Sequence, residues 1–119
     1  MARLVVSISF AKDNPDKATL GMVVANAGVA SGQETTAFFS SEGVWLGKKG
    51  YAEGVHEEGF APLKDLLDTF IENGGTLWFC APCCKKRGIA EEDLVANAKV
   101  VGGAKLVEVL SQGAACISY

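Results

Sequence analysis

Residues 3–10, RLVVSISF, form a continuous β-branched and apolar run, and this run constrains the fold more than any other feature of the sequence. A strand with one solvated face alternates polar and apolar side chains. An unbroken apolar run instead suits a strand covered on both faces, as in a parallel sheet. The rest of the chain agrees. Short strand-like runs at residues 34–40 (ETTAFFS), 76–80 (TLWFC), 98–101 and 114–119 alternate with segments of helical character. Five strands alternating with four helices predict an α/β fold: an open parallel sheet of about five strands with helices on both faces, in three layers, joined by right-handed crossovers.

The helical segments differ in kind. Residues 12–17 are a polar break in which Asp13 or Asn14 can cap a helix, with Pro15 in its first turn. Residues 18–30, ATLGMVVANAGVA, are apolar almost all the way round, with Thr19 and Asn26 the only polar side chains. A helix of that kind is buried on more than one side, and in a small domain a subunit contact is the simplest second partner. Residues 60–74 carry Phe60, Leu63, Leu66, Leu67, Phe70 and Ile71 at helical spacing and end at Asn73-Gly74-Gly75. Residues 90–97, with Glu91, Glu92 and Asp93 in the first turn, and 104–111 complete the set. Between strand and helix, residues 41–59 show no period but hold five glycines, Trp45, Tyr51 and the lone histidine, His56. A connection that long is more often functional than idle.

At 119 residues and 49% hydrophobic content the chain reads as a single domain, residues 1–119, able to build its own core. The formal net charge of -3 argues against nucleic acid or an anionic membrane as a partner, since either calls for a basic surface. No segment reaches the roughly 18 apolar residues of a membrane span, and the amino-terminal apolar run meets Lys12 and Asp13 where a signal sequence would continue. The expectation is a cytoplasmic protein. In a reducing compartment, cysteines clustered three to one point to catalysis or metal binding more than to a disulfide framework.

That cluster lies in residues 76–89, TLWFCAPCCKKRGI. Cys80 ends a strand, and in open parallel sheets reactive groups gather at the carboxyl ends of strands. Cys80 and Cys83 form a Cys-x-x-Cys pair that can close a disulfide or pass a sulfur between thiols. Lys85, Lys86 and Arg87, with the amino end of a helix at residue 90, are expected to favour a thiolate and to hold an anionic sulfur adduct. Arg87 is the most specific of the three, because its planar fork holds an anion or ties the loop to a backbone carbonyl. Cys84 and Cys116 read as packing residues. Trp45, Tyr51 and His56 are candidates to wall the thiol pocket or to pack the long loop down.

Other chemistries fit less well. A thioredoxin-type motif follows an early strand and relies on a later proline beside it, whereas the prolines here are Pro15, Pro62 and Pro82. Cys80, Cys83 and Cys84 with His56 or Cys116 would supply four zinc ligands, but the two paired clusters of a structural site are missing, so neither a metal nor another cofactor is expected. AKDNPDKA after the first strand lacks the glycines of a nucleotide loop.

The Asn14-Pro15 turn, the alanine-rich helix, the strand-loop sequence FFSSEGV and above all Cys80-x-x-Cys83-x-x-x-Arg87-Gly88-Ile89 resemble the DsrE/DsrF-like family, which takes in TusD-type sulfur-relay subunits and small YchN-like proteins. The resemblance covers nearly the whole chain. It implies a Rossmann-like sheet, trimers or hexamers, and a persulfide carried on the cysteine seven residues before Arg-Gly, which is Cys80. Sulfur donor and acceptor proteins would then be its partners, and the activity would be of sulfurtransferase type. A non-enzymatic oligomeric binding or scaffold protein, and a dithiol redox or metal-binding loop, are the competing readings.

Overall fold

In the computed structural model, which describes residues 2–119, the sheet contains β1 (Arg3–Ile8), β2 (Glu34–Phe39), β3 (Thr76–Cys80), β4 (Ala98–Val101) and β5 (Ala115–Ser118). The helices are α1 (Pro15–Ala30), α2 (Leu63–Glu72), α3 (Ala81–Lys86) and α4 (Gly103–Ser111). Every strand pair is parallel, in the order β4-β3-β2-β1-β5. The chain steps outward from β1 to β4 and then returns to place β5 on the far side of β1.

Side chains alternate across a strand, so each strand feeds two layers. On one face Val6, Ile8, Ala37, Phe39, Leu77 and Phe79 are buried with Met22 of α1 and Leu67 and Phe70 of α2. On the other, Val5, Phe38 and Trp78 meet Leu106, Val109 and Leu110 of α4. This double burial is what the unbroken run at residues 3–10 encodes. Each fully buried Phe or Leu contributes about 1.5–3 kcal/mol through loss of apolar surface from water. The stacked rings of Phe39 and Phe79, 4.7 Å between centroids, lie directly under the carboxyl end of β3.

Several elements meet the sequence expectation only in part. The first helix begins at Pro15, capped by the Asn14 side chain, which accepts the Lys17 N–H at 3.1 Å. Its second buried side is taken by α2 of the same chain: Asn26 donates to the Leu66 carbonyl at 2.9 Å and to its own Met22 carbonyl at 3.0 Å. Leu20 and Val23 of α1 stay half-buried within the single chain. The second helix starts at Leu63, because the extended Pro62 precedes it and proline keeps the residue before it out of the helical region. The long connection folds as two 3₁₀ segments, Ser41–Gly47 and Ala52–Gly54, that bury Val44, Leu46, Ala52 and Val55.

Residues 90–97 do not form a helix. Glu91–Asp93 is a single 3₁₀ turn, closed by the Asp93 carboxylate on the Ala90 N–H at 2.9 Å. The Glu91 carboxylate accepts the Val100 N–H at 2.8 Å, and the Val95 N–H goes to the Gly47 carbonyl at 2.8 Å. The Val95 N–H thus bonds out to the neighbouring loop and not back along a helix.

Candidate functional site

β3 ends at Cys80, and α3 begins at the next residue. Pro82 suits this start, since the first turn of a helix has no use for its missing N–H. The turn of α3 brings Cys83 back over Cys80, and the Cys83 thiol donates to the Cys80 sulfur at 2.7 Å. All four cysteines are free; Cys80 and Cys83 are half-buried, Cys84 is buried and Cys116 is exposed. Cys80 packs against the cores of both faces, so it sits on the carboxyl rim of the sheet between the layers.

Arg87 holds this turn in place. Its Nε donates to Glu42 at 2.7 Å and its Nη1 to the Cys83 carbonyl at 3.1 Å. The guanidinium therefore ties the end of α3 to the 3₁₀ segment Ser41–Gly47. That segment can approach the sheet only because residue 43 is glycine: a Cβ there would collide with the Ile8 carbonyl oxygen. Gly88, with φ of 68°, then turns the chain out of α3 in a conformation that side chains other than glycine rarely adopt. Glu42 is the acidic residue before Gly-Val in the FFSSEGV motif, and nothing in the residue pattern points to its partner.

The electrostatics reverse one expectation. Burial pushes the Cys80 thiol above the ordinary thiol range, and the hydrogen bond shared with Cys83 keeps a proton between the two sulfurs and acts the same way. The Cys83 backbone N–H and the Arg87 charge pull downward without prevailing, and neither Lys85 nor Lys86 figures among the groups acting on it. Both lysines are exposed on the last turn of α3, facing solvent. The helix expected to begin at residue 90 is absent, so its amino end cannot support a thiolate. Cys84 is also pushed up, chiefly by burial and then by the two neighbouring thiols.

The other candidates lie elsewhere. Trp45 and Tyr51 stack on each other with centroids 6.0 Å apart, and the Tyr51 hydroxyl accepts the Lys12 N–H at 3.2 Å. They pack the long loop against the amino end of α1. The ring of His56 bonds to the Phe60 carbonyl at 2.9 Å within the same loop. Cys116 was expected in the core, but β5 is an edge strand and its residues are exposed. Cys116 lies three strands from Cys80 and in register with Thr76, four residues nearer the amino end of the sheet, so about 14 Å across the strands and about 13 Å along them separate the two. Among the described residues, no group of three or more His, Cys, Asp or Glu side chains is arranged to hold a metal ion. A cleft of about 320 Å³ lies at the opposite, amino-terminal end of the strands, lined by Arg3, Glu34, Thr76, Trp78 and Lys105 among others, and none of its lining residues is a cysteine.

A family model described as the DsrE/DsrF-like family matches residues 3–119. An uncharacterized protein of Methanopyrus kandleri is 33% identical over 92 residues, 77% of this chain and 73% of that protein. Among solved structures, the ychN protein from E. coli superposes with a TM-score of 0.81 at 16% identity, covering all of both chains. A protein of unknown function from Methanobacterium thermoautotrophicum does so with a TM-score of 0.73, also at 16% identity and full coverage of both.

Proposed function

This chain belongs to the DsrE/DsrF-like family, and from that premise we propose that it carries sulfane sulfur on Cys80. The observation that supports this reading most is the placement of Cys80: half-buried on the carboxyl rim of β3, with its sulfur beside a second thiol. In the first step the Cys80 thiolate attacks the outer sulfur of a donor persulfide. The donor S–S bond breaks, the donor leaves as a thiolate, and Cys80 becomes a persulfide. In the second, an acceptor thiolate attacks the outer sulfur of that persulfide and Cys80 is restored as a thiolate. No net oxidation occurs and no cofactor is consumed.

Arg87 and Glu42 act as positioning residues in this scheme, because they fix the turn that carries Cys83. Lys85 and Lys86, free on the surface of α3, are suited to steering an acidic donor or acceptor protein toward the rim rather than to activating the thiol. A cytoplasmic location suits persulfide chemistry, which needs reduced thiols, and no helix among the described residues is long and apolar enough to cross a membrane. The test is transfer of isotopically labelled sulfane sulfur from a small persulfide donor to an acceptor thiol. Cys83→Ser, which keeps Cys80 and has no second thiol beside it, should accelerate transfer and Cys80→Ser should not. Equal acceleration by Cys80→Ser would refute the proposal.

A further inference from the structure

We infer that Cys83 resolves the Cys80 persulfide internally, releasing hydrosulfide and leaving a Cys80–Cys83 disulfide, so that the site is a sulfane-sulfur reductase as well as a carrier. This rests on the carrier reading above. It follows from a choice that the sequence leaves open, since a Cys-x-x-Cys pair can hand the outer sulfur from one thiol to the other or can expel it.

The geometry separates the two. Displacement at sulfur is in line, with nucleophile, central sulfur and leaving sulfur close to collinear. To receive the outer sulfur, the Cys83 sulfur must lie beyond it. The two γ-sulfurs would then be separated by two S–S links placed end to end, about 4 Å or more at the usual S–S length of about 2 Å. In the structure they are 2.7 Å apart. No sulfur atom fits between them in this arrangement, which places the outer sulfur of a Cys80 persulfide on the side away from Cys83. That is the arrangement for attack on the inner sulfur, with the outer one as leaving group.

The step balances. The Cys83 thiol gives its proton to solvent, and its thiolate forms a bond to Cys80 Sγ. The persulfide S–S bond breaks, and its electron pair leaves with the outer sulfur as hydrosulfide. The sulfane sulfur is reduced to sulfide while the two cysteines are oxidised to one disulfide. A second turnover requires an external dithiol reductant to reopen that disulfide. Arg87, bonded to the Cys83 carbonyl and to Glu42, keeps Cys83 at this distance, and Cys84 is buried and takes no part.

The experiment loads the full chain with glutathione persulfide under anaerobic conditions without reductant, measures sulfide, and weighs the intact protein with and without alkylation. A sample without donor controls for adventitious oxidation. The wild-type chain should release one sulfide per chain and lose two hydrogens as the disulfide closes. Cys83→Ser should keep one added sulfur on Cys80 and release sulfide more slowly by a factor of roughly a hundred or more, the advantage of a thiol held beside its target over one arriving from solution. Cys83→Ala, which also removes the hydroxyl, should behave alike. A wild-type chain that retains the added sulfur on Cys80 with Cys83 still alkylatable would overturn the inference while leaving the carrier reading intact. Added sulfur on Cys83 would overturn it equally. Failure of both the wild type and Cys83→Ser to take up sulfur or release sulfide would sink the carrier reading itself, and this inference with it.

Discussion

Sulfur transfer through Cys80 would need its thiolate, yet its surroundings favour the thiol. Burial outweighs the nearby Arg87 charge, so alkylation of native Cys80 should accelerate with rising pH and keep accelerating past about 8.5, where a free thiol levels off. A plateau well below that, read by mass spectrometry of iodoacetamide-treated protein, would contradict the account. The same shift bears on stability. Folded Cys80 and Cys84 keep protons that the unfolded chain releases, so their contribution is complete below the unfolded thiol value of about 8.5 and is lost as pH climbs from there through the folded values. Urea midpoints should therefore fall above that pH, and the fall should shrink in Cys84→Ala measured against its own neutral-pH midpoint. Arg87 poses a different question at this scale. Its pair with Glu42 is partly screened on the carboxylate side, with side-chain exposures of 15% and 43%. Glu42→Gln should cost about 1–2 kcal/mol in equilibrium unfolding. It should also slow closure of the Cys80–Cys83 disulfide, a change that loss of stability alone would not produce.

At the scale of elements, β3 and α3 form one unit: a buried strand that delivers Cys80 to the rim and a short helix that folds Cys83 back on it. Phe79, fully buried and stacked on Phe39, anchors that strand. Phe79→Ala should cost about 3–5 kcal/mol, measured by denaturant unfolding; a cost below about 1 kcal/mol would show that the strand end is held by something else. The strands were legible in the sequence because burial on both faces leaves continuous apolar runs, and β3 and β4 fall at the expected residues. α3 was not legible. Six residues, APCCKK, carry no apolar period, and Pro82 reads as a turn until the first-turn geometry is seen. The 90–97 segment was misread because its start does carry a helix-capping bond, the Asp93 carboxylate on the Ala90 amide, but the turn goes no further: Glu91 reaches forward to the Val100 amide and the Val95 N–H goes to the Gly47 carbonyl. Of the site itself, the Cys80–Cys83 pair followed from spacing, and the link of Arg87 to a carbonyl from side-chain chemistry. The Arg87–Glu42 pair did not, since it joins residues 45 apart in sequence.

For the whole molecule, the strand order places chemistry and exposed apolar surface on different sides. Cys80 lies on β3, next to the β4 edge, whereas β5 forms the opposite edge. Ile117 on β5 and Val107 on α4 are exposed at 41% and 62%. We propose that this protein forms a homo-oligomer and that these positions lie in its contact. Light scattering of Ile117→Asp with Val107→Asp should show a smaller particle than the wild type; an unchanged mass would place any assembly on another surface. Sulfur uptake at Cys80 in that variant should be retained, because the thiol pair is built within one chain. Delivery of sulfur to the Cys80 thiol is read from the position of the added sulfur in donor-treated Cys83→Ser, located by fragmenting the peptide that holds Cys80 and Cys84. The added sulfur should lie on Cys80 alone. Sulfur on Cys84, or spread equally over the remaining cysteines, would contradict it.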